Sequence, residues 1–407
     1  MARDNSDSKF APHALAAPPE AERSLDTLAA WLTAPAESPR EAARAVFRWI
    51  TDRVAYDVRG LPAGRRQRRP PAPEEVLRRR KARCDGFAVL FEALARTAGL
   101  EAETLVGFSK GYGYTPGRRS GAIGPAAIGA GPDHAWNAVR IEGRWELLDA
   151  TWGAGAFRDG RYTRRFEPHY FDTPPEAFIF DHFPLEARWQ LLEREVTRKE
   201  FQGLPHAQPA FFRLGLGFEG KPRGLIHADG AAEVALYAPA GVLFHAEVHS
   251  SVGRLPKRPL VLATCEADRV RLYAEFPRPG EYHLRVFARR ADGPSDYRWA
   301  VDFLIRARSA RIGRVGFPQV FADFAEAGGR LEQPRTGYLQ AGREHAFRLR
   351  VPGAEEVAVI GAGKWTRLLN GSENFSGGVT IPRGEITVAA KFPSRRDFCV
   401  LLRYTGY

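Results

Sequence analysis

Apolar positions follow a helical period through the first hundred residues and a period of two afterwards. In residues 38–57, Ala43, Val46, Phe47 and Ile50 recur at helical spacing, and Ser38-Pro39 ahead of them is a helix start. "SLDTLAAWL" from Ser24 carries the same period, and "PEEVLRRR" makes a short helix. The stretch that opens "RCDGFAVLFEALARTAGL" is the best formed. Phe87, Leu90, Phe91, Leu94, Ala95 and Ala98 lie on one continuous apolar stripe, and Gly99 stops the helix.

From Glu101 the alternation predicts strands in "ETLVGF", "HAWNAVRI" and "RWELLDATW", followed by an irregular aromatic closing segment, "FDTPPEAFIFDHFPLEARWQLL". A loop over residues 109–132 carries seven glycines, which prevent regular structure. Beyond about Gln202 short strands alternate with turns in two blocks of near 100 residues, each the pattern of an antiparallel β-sandwich. The expected organisation is a disordered tail over 1–20, a catalytic domain over 21–200, and sandwiches over 205–308 and 311–407. At 407 residues and 44% hydrophobic content, the chain is long and apolar enough for two or three such cores.

Three widely spaced cysteines, Cys84, Cys265 and Cys399, make neither a disulfide framework nor a zinc pair. The net charge of +12 is largely dispersed arginine, with short clusters at 65–69 and 78–83. No helix-turn-helix, zinc finger or aromatic RNA-binding motif accompanies it, so no specific nucleic-acid role is expected. No run approaches a membrane span. The expected compartment is the cytoplasm, with secretion after removal of a leader left open.

Cys84 stands in the first turn of its helix, where the dipole and free backbone N–H groups favour thiolate and could hold an oxyanion. Gly86 keeps that turn slim. A buried, inert cysteine is the alternative reading. The hairpin "HAWNAVRIEGRWELLDATW" shifts the balance. With Glu142-Gly143 as its two-residue turn, Ile141 faces Arg144 and Trp136 faces Asp149. His134 shares a face with Trp136, so His134 and Asp149 become diagonal neighbours able to pair through their side chains. Tyr56 is a candidate oxyanion donor. His169, His182, His227, His245, His249, His283 and His345 lack carboxylate or cysteine partners at ligand spacing and read as structural or surface residues. His245 and His249 share a strand face but make too small a set for a metal, and no metal or cofactor is expected.

The segments "RCDGFAVLFEALARTAGLEAETLVGFSKGYGY", "DHAWNAVRIEGRWELLDATWGAG" and "FDTPPEAFIFDHFPLEARWQLL" resemble the transglutaminase-like domain of the kyphoscoliosis-peptidase family, within the papain-like superfamily. The resemblance covers roughly residues 35–195. It extends to the C-terminal blocks through "FPRPGEYHLRVFA" and "LEQPRTGYLQAGREHAFRLRVPGA". It implies an α+β papain-like transglutaminase core followed by two all-β immunoglobulin-like sandwiches. It also implies a Cys-His-Asp triad of Cys84 as nucleophile, His134 as base and Asp149 as orienter, passing an acyl group from a protein or peptide amide through a thioester. Hydrolysis is expected to prevail over amine transfer, because so glycine-rich a loop is costly to order into a dry channel. The alternatives are a protein-crosslinking transglutaminase and a catalytically silent scaffold that binds protein partners through its sandwiches.

Overall fold

The computed structural model describes residues 7–58, 69–111, 114, 116, 131–158, 161–250 and 253–407. It divides into two compact units, Met1–Gln202 and Gly203–Tyr407.

In the first unit the helical period produces helices Leu25–Thr33, Pro39–Arg53, Pro73–Arg79 and Cys84–Thr97. Ser24 starts the first through a capping box with Thr27, and Ser38 caps the second by accepting from the Glu41 N–H. Ala43, Val46, Phe47 and Ile50 are all buried, as their spacing requires, and Trp49 joins them with its indole N–H donated to Glu22 at 3.0 Å. Gly99 ends the fourth helix at φ 81°. These helices cover an antiparallel five-stranded sheet in the order Phe171–Thr173, Arg144–Leu148, His134–Ile141, Ala102–Ser109, His182–Pro184. The aromatic closing segment thus supplies both edge strands. It crosses from one side of the sheet to the other, and that crossing delivers His182 to the middle of the unit.

The expectation of a disordered tail fails over part of its length. Asp7–Leu15 is helical, Ala14 is fully buried, and His13 stacks on Trp31 with ring centroids 4.9 Å apart. Alanine and histidine carry little hydrophobic signal in sequence, so a helix held by docking rather than by its own amphipathicity was not visible there. The glycine-rich loop falls mostly outside the described residues.

The second unit contains two pairs of sheets. The first combines strands His206–Ala207, Arg298–Ser309, Gly280–Arg290 and Val242–Ser250, with Leu225–Asp229 beside Arg298–Ser309, against Gly217–Phe218, Ala231–Tyr237, Arg269–Glu275 and Val261–Glu266. Along Arg269–Glu275 and Gly280–Arg290, buried and half-buried residues alternate, the period-two pattern of a sheet facing a core. The second pair spans Gln319–Val320 to Cys399–Gly406. The two blocks form one compact unit rather than separate bodies because their cores meet. Leu262 of the first pair belongs to the same apolar cluster as Phe347, Val388 and Tyr404 of the second. Across that seam, Gly316 N donates to Glu275 at 2.9 Å, and Arg258 donates to the Arg403 carbonyl at 2.8 Å. No helix among the described residues is long and apolar enough to cross a membrane.

Candidate active site

Cys84 is the first residue of helix Cys84–Thr97, and Arg83 at the N-cap supplies no side-chain cap. The N–H groups of the opening turn therefore lie beside the thiol, which is 6% exposed. Gly86 is required here: a Cβ would lie 2.5 Å from the Cβ of Ala82. A short parallel ladder, Ala55↔Lys81 and Tyr56↔Ala82, locks the chain just before the helix, and Asp57 N donates to the Ala82 carbonyl at 2.8 Å. Tyr56 is thereby held opposite the residue two positions before Cys84. It is half-buried, with its ring 6.2 Å from that of Tyr162.

The hairpin has the register its turn dictates. Glu142 and Gly143 both take positive φ, 50° and 80°, as a type I′ turn needs, and pairing runs from Ile141↔Arg144 to Asn137↔Leu148. Asp149 then leaves the strand and becomes the N-cap of helix Ala150–Ala154. Its Oδ1 accepts from the N–H groups of Thr151 at 2.7 Å and Trp152 at 3.1 Å. This fixes the carboxylate plane and turns Oδ2 toward His134, whose Nε2 lies 2.7 Å away. The His134 side chain is also hydrogen-bonded to Cys84. Trp136 and Trp152 flank the imidazole at 5.9 and 5.3 Å.

Electrostatics follow from this geometry. Burial alone would lower the His134 pKa, but the charge and hydrogen bond of Asp149, with the Cys84 contact, push it up to about 10. Burial would raise Asp149. The His134 and His182 contacts outweigh it and hold the carboxyl well below the usual carboxylate range.

Sequence reasoning brought Cys84, His134 and Asp149 together and missed His182. This residue is fully buried, with Nε2 3.1 Å from Asp149 Oδ2 and Nδ1 2.6 Å from Asp181 Oδ1. The reading of His182 as a partnerless structural residue is corrected: two carboxylates from different segments converge on it. A signal was present, since an Asp-His pair inside the aromatic run "FIFDHF" is polar where its neighbours are core. His245 and His249 also have a carboxylate partner, Glu247, at 3.1 Å each, but on an exposed strand face. Asp181 accepts from the Tyr170 hydroxyl at 3.1 Å, and its carbonyl accepts from Lys110 N at 2.9 Å. Lys110 is itself buried among aromatic rings, with Nζ 4.8 Å from the Phe201 centroid. Burial pushes its pKa down to about 7 against the pull of Asp181. His134, Asp149 and His182 place three ligand-type atoms within 4.8 Å of one another. Both histidine nitrogens in that set are hydrogen-bonded to the same atom, Asp149 Oδ2.

Comparison with known proteins agrees with this architecture. A family model described as transglutaminase-like superfamily matches residues 26–150, and one described as KY-like, immunoglobulin-like domain matches residues 198–318. Kyphoscoliosis peptidase of Homo sapiens is 25% identical over 86% of this chain and 69% of its own length. The Mus musculus protein of that name is 26% identical over 85% and 68%. Hillarin of Drosophila melanogaster is 30% identical over 63% of this chain and 33% of its own. The chain is thus a homologue of the kyphoscoliosis peptidases, with a transglutaminase-like core at its N-terminus followed by a KY-like immunoglobulin-like domain.

Proposed function

We propose that the protein is a transglutaminase-like cysteine peptidase acting on amide bonds of a protein or peptide. The observation that carries this reading is the position of His134, bonded both to the Cys84 thiol and to Asp149. His134 takes the thiol proton and Cys84 Sγ attacks the amide carbonyl. The resulting oxyanion is held by N–H groups of the first helical turn, with Tyr56 as a second donor candidate. The C–N bond breaks as His134 returns the proton to the leaving amine, and a thioester remains on Cys84. Water then attacks with His134 as base, releasing the acid and restoring the thiol. Asp149 holds the imidazole in one tautomer and orientation throughout. The immunoglobulin-like region is the natural surface for a protein partner.

The test is iodoacetamide labelling near neutral pH with mapping of the modified cysteine, then incubation of a glutamine-containing peptide with excess primary amine. Selective alkylation of Cys84 and a free-acid product are expected. Equal labelling of all three cysteines would sink the nucleophile assignment. A predominant amine adduct that disappears in Cys84→Ser would make the enzyme a crosslinker instead.

A further inference from the structure

His182 lies between two carboxylates that come from different parts of the chain. Asp149 ends the Arg144–Leu148 strand, and Asp181 precedes the edge strand His182–Pro184. Both ring nitrogens are engaged, at 2.6 Å to Asp181 Oδ1 and 3.1 Å to Asp149 Oδ2. An ionised carboxylate can only accept, so a ring bonded at both nitrogens to carboxylates carries a proton on each. Asp149 also accepts from His134 and from two backbone N–H groups and is held well below the usual carboxylate range, and Asp181 accepts from the Tyr170 hydroxyl. The remaining neighbours of the ring are aromatic: Phe178 stacked at 4.1 Å, Trp152 at 4.5 Å and Trp136 at 5.0 Å. The other titratable groups facing it are His134, 5.3 Å between centroids, and Tyr170 at 6.1 Å. No solvent reaches it.

We infer that His182 is a positioning residue of the site: a buried imidazolium, bonded at both nitrogens between Asp181 and Asp149, that fixes the Asp149 carboxylate and offsets its charge at His134. The inference rests on the reading of Cys84 and His134 as the reacting pair. His134 and His182 share one oxygen of Asp149, so the charge on one ring weakens the hold of that oxygen on the proton of the other. His134 must release its proton to the leaving amine in every cycle. A fixed cation across the carboxylate makes that release easier, and it also favours the thiolate.

Removing a fixed positive charge raises the pKa of every group near it. In His182→Gln, both midpoints of the pH profile of Cys84 alkylation by iodoacetamide are expected to move up by roughly half to one pH unit. A role in packing alone would slow the reaction or lower stability without moving the midpoints. The companion measurement uses the unaltered chain. With 15N-labelled histidine, the ring of His182, identified by its contacts to Phe178, should carry two nitrogen-bound protons from about pH 5 to about pH 9, where an ordinary imidazole loses one. A neutral His182 tautomer in that range, or an unchanged alkylation profile in a folded His182→Gln protein, would overturn the inference. If the variant does not fold, the ring-nitrogen measurement decides alone. Unselective alkylation in the unaltered chain would break the reading of Cys84 while leaving the His182 measurement decisive.

Discussion

The two units treat a cysteine in opposite ways. In the first, Cys84 opens a helix, its thiol in the first turn and against an imidazole that Asp149 holds. In the second, Cys265 lies within strand Val261–Glu266, where its backbone is paired to Arg269–Glu275 and burial pushes the thiol up to about 11. Cys399 begins strand Cys399–Gly406, half-buried, with Arg395 donating to its sulfur at 3.3 Å. The same contrast runs through the interiors. The first unit buries Lys110, His134, Asn137, Asp149, Asp181 and His182. Among the described residues the second buries fewer polar groups, His206, Thr264 and Asp302, the last bonded to Arg285 at 2.9 Å and Trp299 at 3.0 Å. Burying ionisable groups costs stability unless each is paired, so a cluster of them marks a place where something other than stability decided the residues.

The largest effect should come from Cys84→Ala. Amide-cleaving activity should fall by about a thousandfold or more with the fold intact, as expected for loss of a nucleophile. Residual activity within tenfold of the unaltered protein would mean that the chemistry lies elsewhere. Next, His134→Ala should slow alkylation of Cys84 at pH 6–7 by about a hundredfold, while Cys265 and Cys399 react as before. Cys399 is the sharper control, because its arginine neighbour is a cation without a triad. If it alkylates as fast as Cys84, helix start and imidazole lose their explanatory value.

A third effect concerns pH. The folded-state pKa of His134 is raised from 6.5 to about 10, so its stabilisation is full below about pH 6.5 and is lost as pH rises through about 10. His182, also raised by its carboxylates against burial, acts in the same direction. Lys110 opposes both. Its pKa is lowered from 10.5 to about 7, so its burial penalty is relieved as pH rises across that window. Lys110→Met removes the opposing slope. Between about pH 7 and about pH 10 the variant should lose stability more steeply than the unaltered protein, by about 1.4 kcal/mol per pH unit. Urea unfolding across that range measures it, and parallel curves for the two proteins would show that Lys110 is charged in the fold. The smallest effect is assigned to the second unit. Asp302→Ala should cost about 1–2 kcal/mol, since Arg285 is left partly solvated, and should leave Cys84 alkylation unchanged.

How much of this was legible in sequence differs between the same two regions. The second unit announces itself because period-two alternation is a local property, and "RVRLYAEFPRPGEYHLRVFARR" reads directly as the successive strands Arg269–Glu275 and Gly280–Arg290, one in each sheet of the first pair. The pairing of His134 with Asp149 was equally local, because a two-residue turn fixes the register of everything beside it. His182 was not local. It meets Asp149 only because the closing segment crosses the sheet and pairs at its far edge, Ser109↔His182. No spacing rule spans that crossing. The union of the two sandwich blocks into one unit has the same cause, a contact through Leu262 between surfaces far apart in sequence.

Asp149 has a consequence for how such a protein can change over generations. Its Oδ2 serves the imidazole while its Oδ1 fastens the helix that follows, so one side chain answers to chemistry and to architecture together. Cys84 meets the imidazole with its thiol, and its side chain caps no helix. A lineage released from the need for turnover could exchange its cysteine at little cost and would still be held to its aspartate. Among descendants that have fallen silent, the nucleophile is therefore the residue expected to drift first, leaving the aspartate as the relic of a lost reaction.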